Sequence, residues 1–168
     1  QTINRELIKQ YNVVTIDTSA GLLIPEDITT LVIAGPQNMN NYIKFEIDQF
    51  IMKGGRAIFL LNKLNVTDNL MANPISSGFE DMLNHYGINI KDEIVLDKVC
   101  SVASFNAGFF SFTTNYPFFL RILQENFSKE NPISNRLDGM ILRWVAPLEL
   151  SGAISKNIKS TILMTSSQ

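Results

Sequence analysis

Residues 28–62, ITTLVIAGPQNMNNYIKFEIDQFIMKGGRAIFLLN, decide the fold class. Apolar runs at Leu31–Ala34 and Ala57–Leu61 flank a segment in which Ile43, Ile47, Phe50 and Ile51 recur at helical spacing. The stretch therefore reads as strand, helix, strand: one βαβ unit. Neither run alternates strictly, which predicts a sheet covered on both faces and hence mainly parallel. Gly35-Pro36 ends the first strand, Asn40 is placed to cap the helix, and Gly54-Gly55 can stop it in a left-handed turn before Arg56.

Working outward, residues 3–10 read as the last turns of a helix, and the β-branched run at 13–17 as a buried strand leading into the turn Thr18-Ser19-Ala20-Gly21. With right-handed crossovers, strands at 13–17, 31–34 and 57–61 are expected in one parallel sheet, with helix 41–53 packed on it. Ser77-Gly78-Phe79-Glu80 has capping-box spacing. It should open a helix with Phe79, Met82, Leu83 and Tyr86 on its apolar face, stopped at Gly87 and followed by a strand at 94–96. Beyond Ser101, VASFNAGFFSFTT (102–114) is aromatic, β-prone and broken at Asn106-Ala107-Gly108, which predicts a hairpin. Residues 118–127 read as a helix, 140–150 as a strand interrupted at Pro147, and 161–164 as a final strand. The expected whole is a single α/β domain over 1–168: a mainly parallel sheet flanked by helices, in flavodoxin-like or amidotransferase-like layering, with a β-richer C-terminal half.

The central stretch also carries a family resemblance. LVIAGPQ (31–37), then IDQFIMKGG (47–55), GFEDMLNHYGINIKDEIVLD (78–97), NPISNRLDG (131–139) and ILMTSS (162–167) occur in that order. Together they resemble the auxiliary domain of bacterial ABC-type transport systems, the family that includes the gliding-motility auxiliary protein. The resemblance implies a non-catalytic binding or scaffolding domain, held between transmembrane helices outside the cytoplasmic membrane (periplasmic). Its implied partners are the permease and ATPase subunits of a transporter, and it implies no cofactor.

Composition sets the outer limits. With 168 residues, 45% hydrophobic and 18% charged, the chain can bury a real core and has none of the charge excess of a disordered tail. A net charge of −2 with scattered Lys and Arg argues against nucleic acid as a partner. The single Cys100 excludes an internal disulfide. No apolar run reaches the roughly 18 residues that span a bilayer and no signal peptide opens the chain. The start at Gln1 without Met, and the end just after an apolar run, lead us to expect a soluble fragment excised from a longer membrane protein.

Candidate sites follow from fold and chemistry together. In open α/β sheets ligands gather at the carboxyl ends of the strands, so the neutral, hydrogen-bonding residues Thr18, Gln37, Asn38 and Asn62 are the expected contacts for a partner loop, a sugar or a peptide. A competing enzymatic reading, amidotransferase-like or hydrolytic, would use Cys100 with His85, but no nucleophile elbow surrounds Cys100. A small-ligand or sugar sensor is the third reading. The carboxylates Asp17, Asp48, Asp68, Asp81, Asp92, Asp97 and Asp138 lack the spacing of a metal site or acid/base dyad. Gly54-Gly55 follows a helix and precedes a strand, the reverse of a phosphate loop. Asn65 and Asn126 begin glycosylation sequons, read as chance, and Trp144 is read as a packing residue rather than a stacking platform.

Overall fold

The computed structural model describes residues 2–19, 21, 23–67, 71–151 and 158–167. The chain divides into two compact units, Gln1–Leu61 and Asn62–Gln168.

The first unit is built on the central stretch. Strand β1 (Thr30–Ala34) pairs in parallel with β2 (Arg56–Leu60), from Thr30 opposite Arg56 to Ala34 opposite Leu60. The ladder is extended by Arg56 N–H to Thr29 O at 3.1 Å and by Gly35 N–H to Leu60 O at 2.9 Å. Between the strands runs helix α2 (Asn41–Met52), which buries Ile43 and Ile47. Its N-terminus is capped as expected: the Asn40 side chain accepts from the Ile43 amide at 2.9 Å. Its C-terminus closes in a Schellman motif, with Gly55 N–H on Phe50 O and Gly54 N–H on Ile51 O, and Gly54 at φ +94°. A short helix α1 (Thr2–Leu7) opens the unit.

The second unit is antiparallel. A small pair, β3 (Leu64–Val66) and β4 (Ala72–Pro74), leads to helix α3 (Glu80–His85) and strand β5 (Ile88–Ile90), which pairs with β9 (Leu148–Leu150). Strands β6 (Cys100–Ala107), β7 (Phe110–Leu123) and β8 (Gly139–Arg143) form a three-stranded sheet with β7 in the middle. Leu120 and Ile122 of β7, each 2% exposed, join Phe127 in a core that Met140, Leu142, Val145 and Met164 help to cover. The capping box before α3 forms in altered shape. The Glu80 carboxylate accepts from the Ser77 amide as expected, but the Ser77 hydroxyl accepts from the Phe79 amide instead of that of Glu80.

The parallel, flavodoxin-like layering is not what the chain adopts. Among the described residues four strand pairings are antiparallel and only β1–β2 is parallel. Residues 13–17 form no strand; Val13 and Val14 are exposed, so β-branching alone did not recruit them to a sheet. In β1 and β2 the burial alternates, leaving Val32, Ile58 and Leu60 about half exposed, so the apolar runs cover one face and not two. Residues 118–123 extend β7 rather than forming a helix, and only a 3-10 turn follows at Gln124–Asn126. Pairing on both edges, with β6 and β8, outweighs the helical spacing of their apolar residues. Residues 94–96 contribute a single ladder-like bond, Val95 N–H to Val145 O, and the segment at 161–164 a lone antiparallel bridge, Met164 to Phe127.

That C-terminal segment is tied down by a buried carboxylate. Asp97, 6% exposed, accepts from the Val99 amide at 2.8 Å, the Ser167 amide at 2.7 Å and the Ser167 hydroxyl. Burial is the largest single influence on its pKa and raises it. The hydrogen bonds from Ser167 and Val99, with Lys98 nearby, outweigh that and hold it below the ordinary value.

Two expectations follow. A Cβ at Gly54 would meet nothing within 4 Å, so substitution is penalised by backbone conformation alone. Gly54→Val should destabilise by roughly 1–2 kcal/mol and Gly54→Asn by less; equal thermal midpoints for Val, Asn and the parent would contradict the cap. Because the folded pKa of Asp97 is depressed, its contribution is fully present above the unfolded value of about 3.9 and is lost as pH falls through the folded value. Asp97→Asn should therefore cost about 1–3 kcal/mol near pH 7, with the difference from the parent shrinking below about pH 4. Thermal unfolding at the two pH values checks this, and a pH-independent difference would remove the charge from the account.

Candidate functional site

The end of β1 is shaped by three backbone constraints. Gly35 takes φ +57°, which turns the chain out of the sheet; Pro36 is buried; and Asn38 takes φ +50°, a left-handed conformation that its short polar side chain tolerates better than most. Asn40 then starts α2. The intervening Gln37 and Asn38 are exposed, side by side in sequence, between a strand end and a helix start. This is the strand-end position expected for them. Thr18 is also exposed, but in a turn held by Ser19 N–H on the Asp17 carboxylate at 2.8 Å, outside the β1–β2 sheet. Asn62 is exposed and opens the second unit. The structure thus gathers Gln37 and Asn38 in one loop, and not Thr18.

The residues of the enzymatic reading lie on different elements. Cys100 is half-buried as the first residue of β6, opposite Leu120. His85 is exposed in the last turn of α3, its ring edge-on to Tyr86 at 6.1 Å between centroids. No hydrogen bond joins Cys100 to His85. Among the described residues no group of three His, Cys, Asp or Glu side chains could hold a metal ion; Asp68 lies outside the described residues. An open depression of about 410 Å³ runs over β7 and β8, lined by Arg121, Leu123, Asp138, Gly139, Met140 and Ile141. It is sheet surface, crossed by the register pairs Arg121–Ile141 and Leu123–Gly139.

Aromatic side chains on β6 and β7 form a stripe that residue-by-residue reading missed. Phe105 stacks on Phe112, its register partner, at 5.4 Å and meets Tyr116 at 5.3 Å. Tyr116 touches Phe118 and Phe119, and Phe119 meets the edge of Trp144 at 4.9 Å. The Arg143 guanidinium lies 4.7 Å from the Phe119 ring centre. Trp144 itself is held at φ +49°, an unusual conformation for a bulky residue, with its amide bonded to Phe118 O. The sequence signal was available: Phe110, Phe112, Tyr116 and Phe118 fall at even spacing along one strand. At the far end of this ribbon Phe109 and Phe110 are exposed, Phe109 completely.

Comparison with known proteins supplies the family. No solved structure matches the chain. It is 29% identical over 147 residues to a Borreliella burgdorferi protein that bears the name "Uncharacterized protein". The match covers 86% of this chain and 29% of that relative, so the chain spans less than a third of the relative's length. No helix among the described residues is long and apolar enough to cross a membrane. Residues 1–168 match throughout the family described as ABC-type uncharacterized transport system, as the order of the motifs from LVIAGPQ to ILMTSS implied, and the chain belongs to that family.

Proposed function

We propose that the chain is a non-catalytic, extracytoplasmic domain that works by association within its ABC-type transport system, on the permease or its ATPase-bearing assembly. The observation that carries this reading is the open face of the β1–β2 sheet. Val32, Ile58 and Leu60 are 48%, 48% and 50% exposed on adjacent parallel strands, a contiguous apolar surface of the kind that marks protein contacts. At the carboxyl end of the same sheet, Gln37 and Asn38 add neutral donors and acceptors. An apolar patch with neutral hydrogen-bonding groups at its carboxyl end and Arg56 on the same face at the other suits a partner loop. It offers no activated nucleophile.

Pull-down of co-expressed transporter subunits tests the reading. Gln37→Ala/Asn38→Gly removes both side chains while keeping the left-handed backbone at position 38 compatible, and Val32→Thr/Ile58→Thr makes the open face polar without changing its β-branched shape. Each should reduce recovery of the partner several-fold at unchanged thermal stability. Equal recovery with both variants would remove this unit as the contact surface, and turnover of a small substrate by the chain, lost in Cys100→Ala, would replace the proposal with the enzymatic reading.

A further inference from the structure

The β6–β7 ribbon has features that the transporter-contact reading does not use. Beyond the reach of β8, which pairs only with Phe119–Leu123, residues 102–115 form a two-stranded ribbon whose outer edges have no strand partner among the described residues. Isolated ribbons of this kind are marginal in water, and here cross-strand aromatic packing, Phe105 on Phe112 and on Tyr116, supports it. The ribbon is two-faced. Phe105, Phe110 and Phe112 share one face, while Ser104, Asn106, Ser111 and Thr113 share the other, with Ser104 and Thr113 hydrogen-bonded across the strands at 2.9 Å. Gly108 at φ +65°, followed by a residue without positive φ, makes a two-residue turn of the II′ pattern between Ala107 and Phe110. That turn puts Phe109 at the outermost corner with full exposure, beside Phe110 at 77% and Phe112 at 54%.

Charge then selects the partner. From Val99 to Leu120 there is no Asp, Glu, Lys, Arg or His, and the bracketing charges, Lys98 and Arg121, stand at the base of the ribbon. A protein contact of matched shape draws its register from charged and hydrogen-bonding rims. This tip has apolar rings and no charge, which matches a medium that is itself apolar and without fixed charge pattern. We propose that the β6–β7 tip is a membrane anchor: Phe109 and Phe110 enter the boundary between headgroups and acyl chains of a phospholipid bilayer, with Phe112 following on the same face. Membership of a membrane transport family places a bilayer within the chain's surroundings. The depth is limited by the unpaired ribbon edges, whose backbone N–H and C=O groups cannot be carried into the hydrocarbon interior. Only the turn and the first pair of ladder residues enter.

The proposal does not depend on any transporter subunit, so purified 168-residue chain and vesicles of phosphatidylcholine suffice. The chain should float with the vesicles, equally at low and high salt and without needing anionic lipid, because no charge drives the contact. Phe109→Ser/Phe110→Ser should lower the bound fraction by at least about tenfold, since each ring loses its transfer from water, while circular dichroism stays that of the parent. In a second measurement, Phe109→Trp should show emission shifted to the blue on adding vesicles, and quenching by lipids brominated on the acyl chains, relative to the parent with Trp144 alone. Flotation that is absent in the parent, or equal in parent and double-Ser variant, would overturn the proposal. So would a Trp shift that appears without lipid and grows with protein concentration, which would assign the tip to contacts between copies of the chain.

Discussion

Pairing of β7 on both edges is the constraint on which the second unit depends. Between Phe119 and Leu123 this strand pairs with β8, and at Leu120, opposite Cys100, with β6 as well; within that span lie Leu120 and Ile122, the most buried aliphatic side chains among the described residues. Backbone satisfaction and side-chain burial coincide there, so the strand is held where it does most for stability. From Asn115 back to Phe110 the β8 partner is missing and every residue is exposed, until Phe109 has no cover at all. The same strand is thus core at one end and a free surface at the other, because β8 is five residues long and β7 is fourteen.

In the first unit the corresponding constraint is the closure of α2. A helix of twelve residues leaves unpaired N–H groups at one end and unpaired carbonyls at the other. Asn40 deals with the first set and Gly54-Gly55 with the second, each by a local device that needs no tertiary contact. Because both ends are settled locally, Gln37 and Asn38 are not called on to satisfy the helix. They remain on the surface, beside a sheet whose second face leaves Val32, Ile58 and Leu60 about half exposed.

Both units present apolar side chains at their surface: Val32, Ile58 and Leu60 in one, the phenylalanine tip in the other. The buried and hydrogen-bonded carboxylate, by contrast, is committed to structure. Asp97 spends its acceptor capacity on Val99 and Ser167, joining positions 70 residues apart, which is a use for a charge that leaves little for chemistry.

The sequence by itself determined what is local. The Asn40 cap, the left-handed Gly54 and the turn of the hairpin about Gly108 rest on contacts within a few residues, where residue type dictates conformation; the βαβ unit and the order of family motifs were legible as patterns along the chain. It could not determine how many strands would meet, because β-propensity describes fitness for a sheet and not the presence of a partner. VVTI at 13–16 has the propensity and stays exposed, while 118–123 has helical spacing and becomes the central strand. Gln37 and Asn38 were legible because one turn displays them. The aromatic stripe was legible only as even spacing along β7; its full extent was not, because Phe105, Tyr116, Phe119 and Trp144 come from three segments that only register and strand order bring together. The antiparallel pairings β5–β9 and β7–β8, the half-open β1–β2 sheet and the bare ribbon tip were decided by the tertiary structure alone, since each depends on where a partner strand stops.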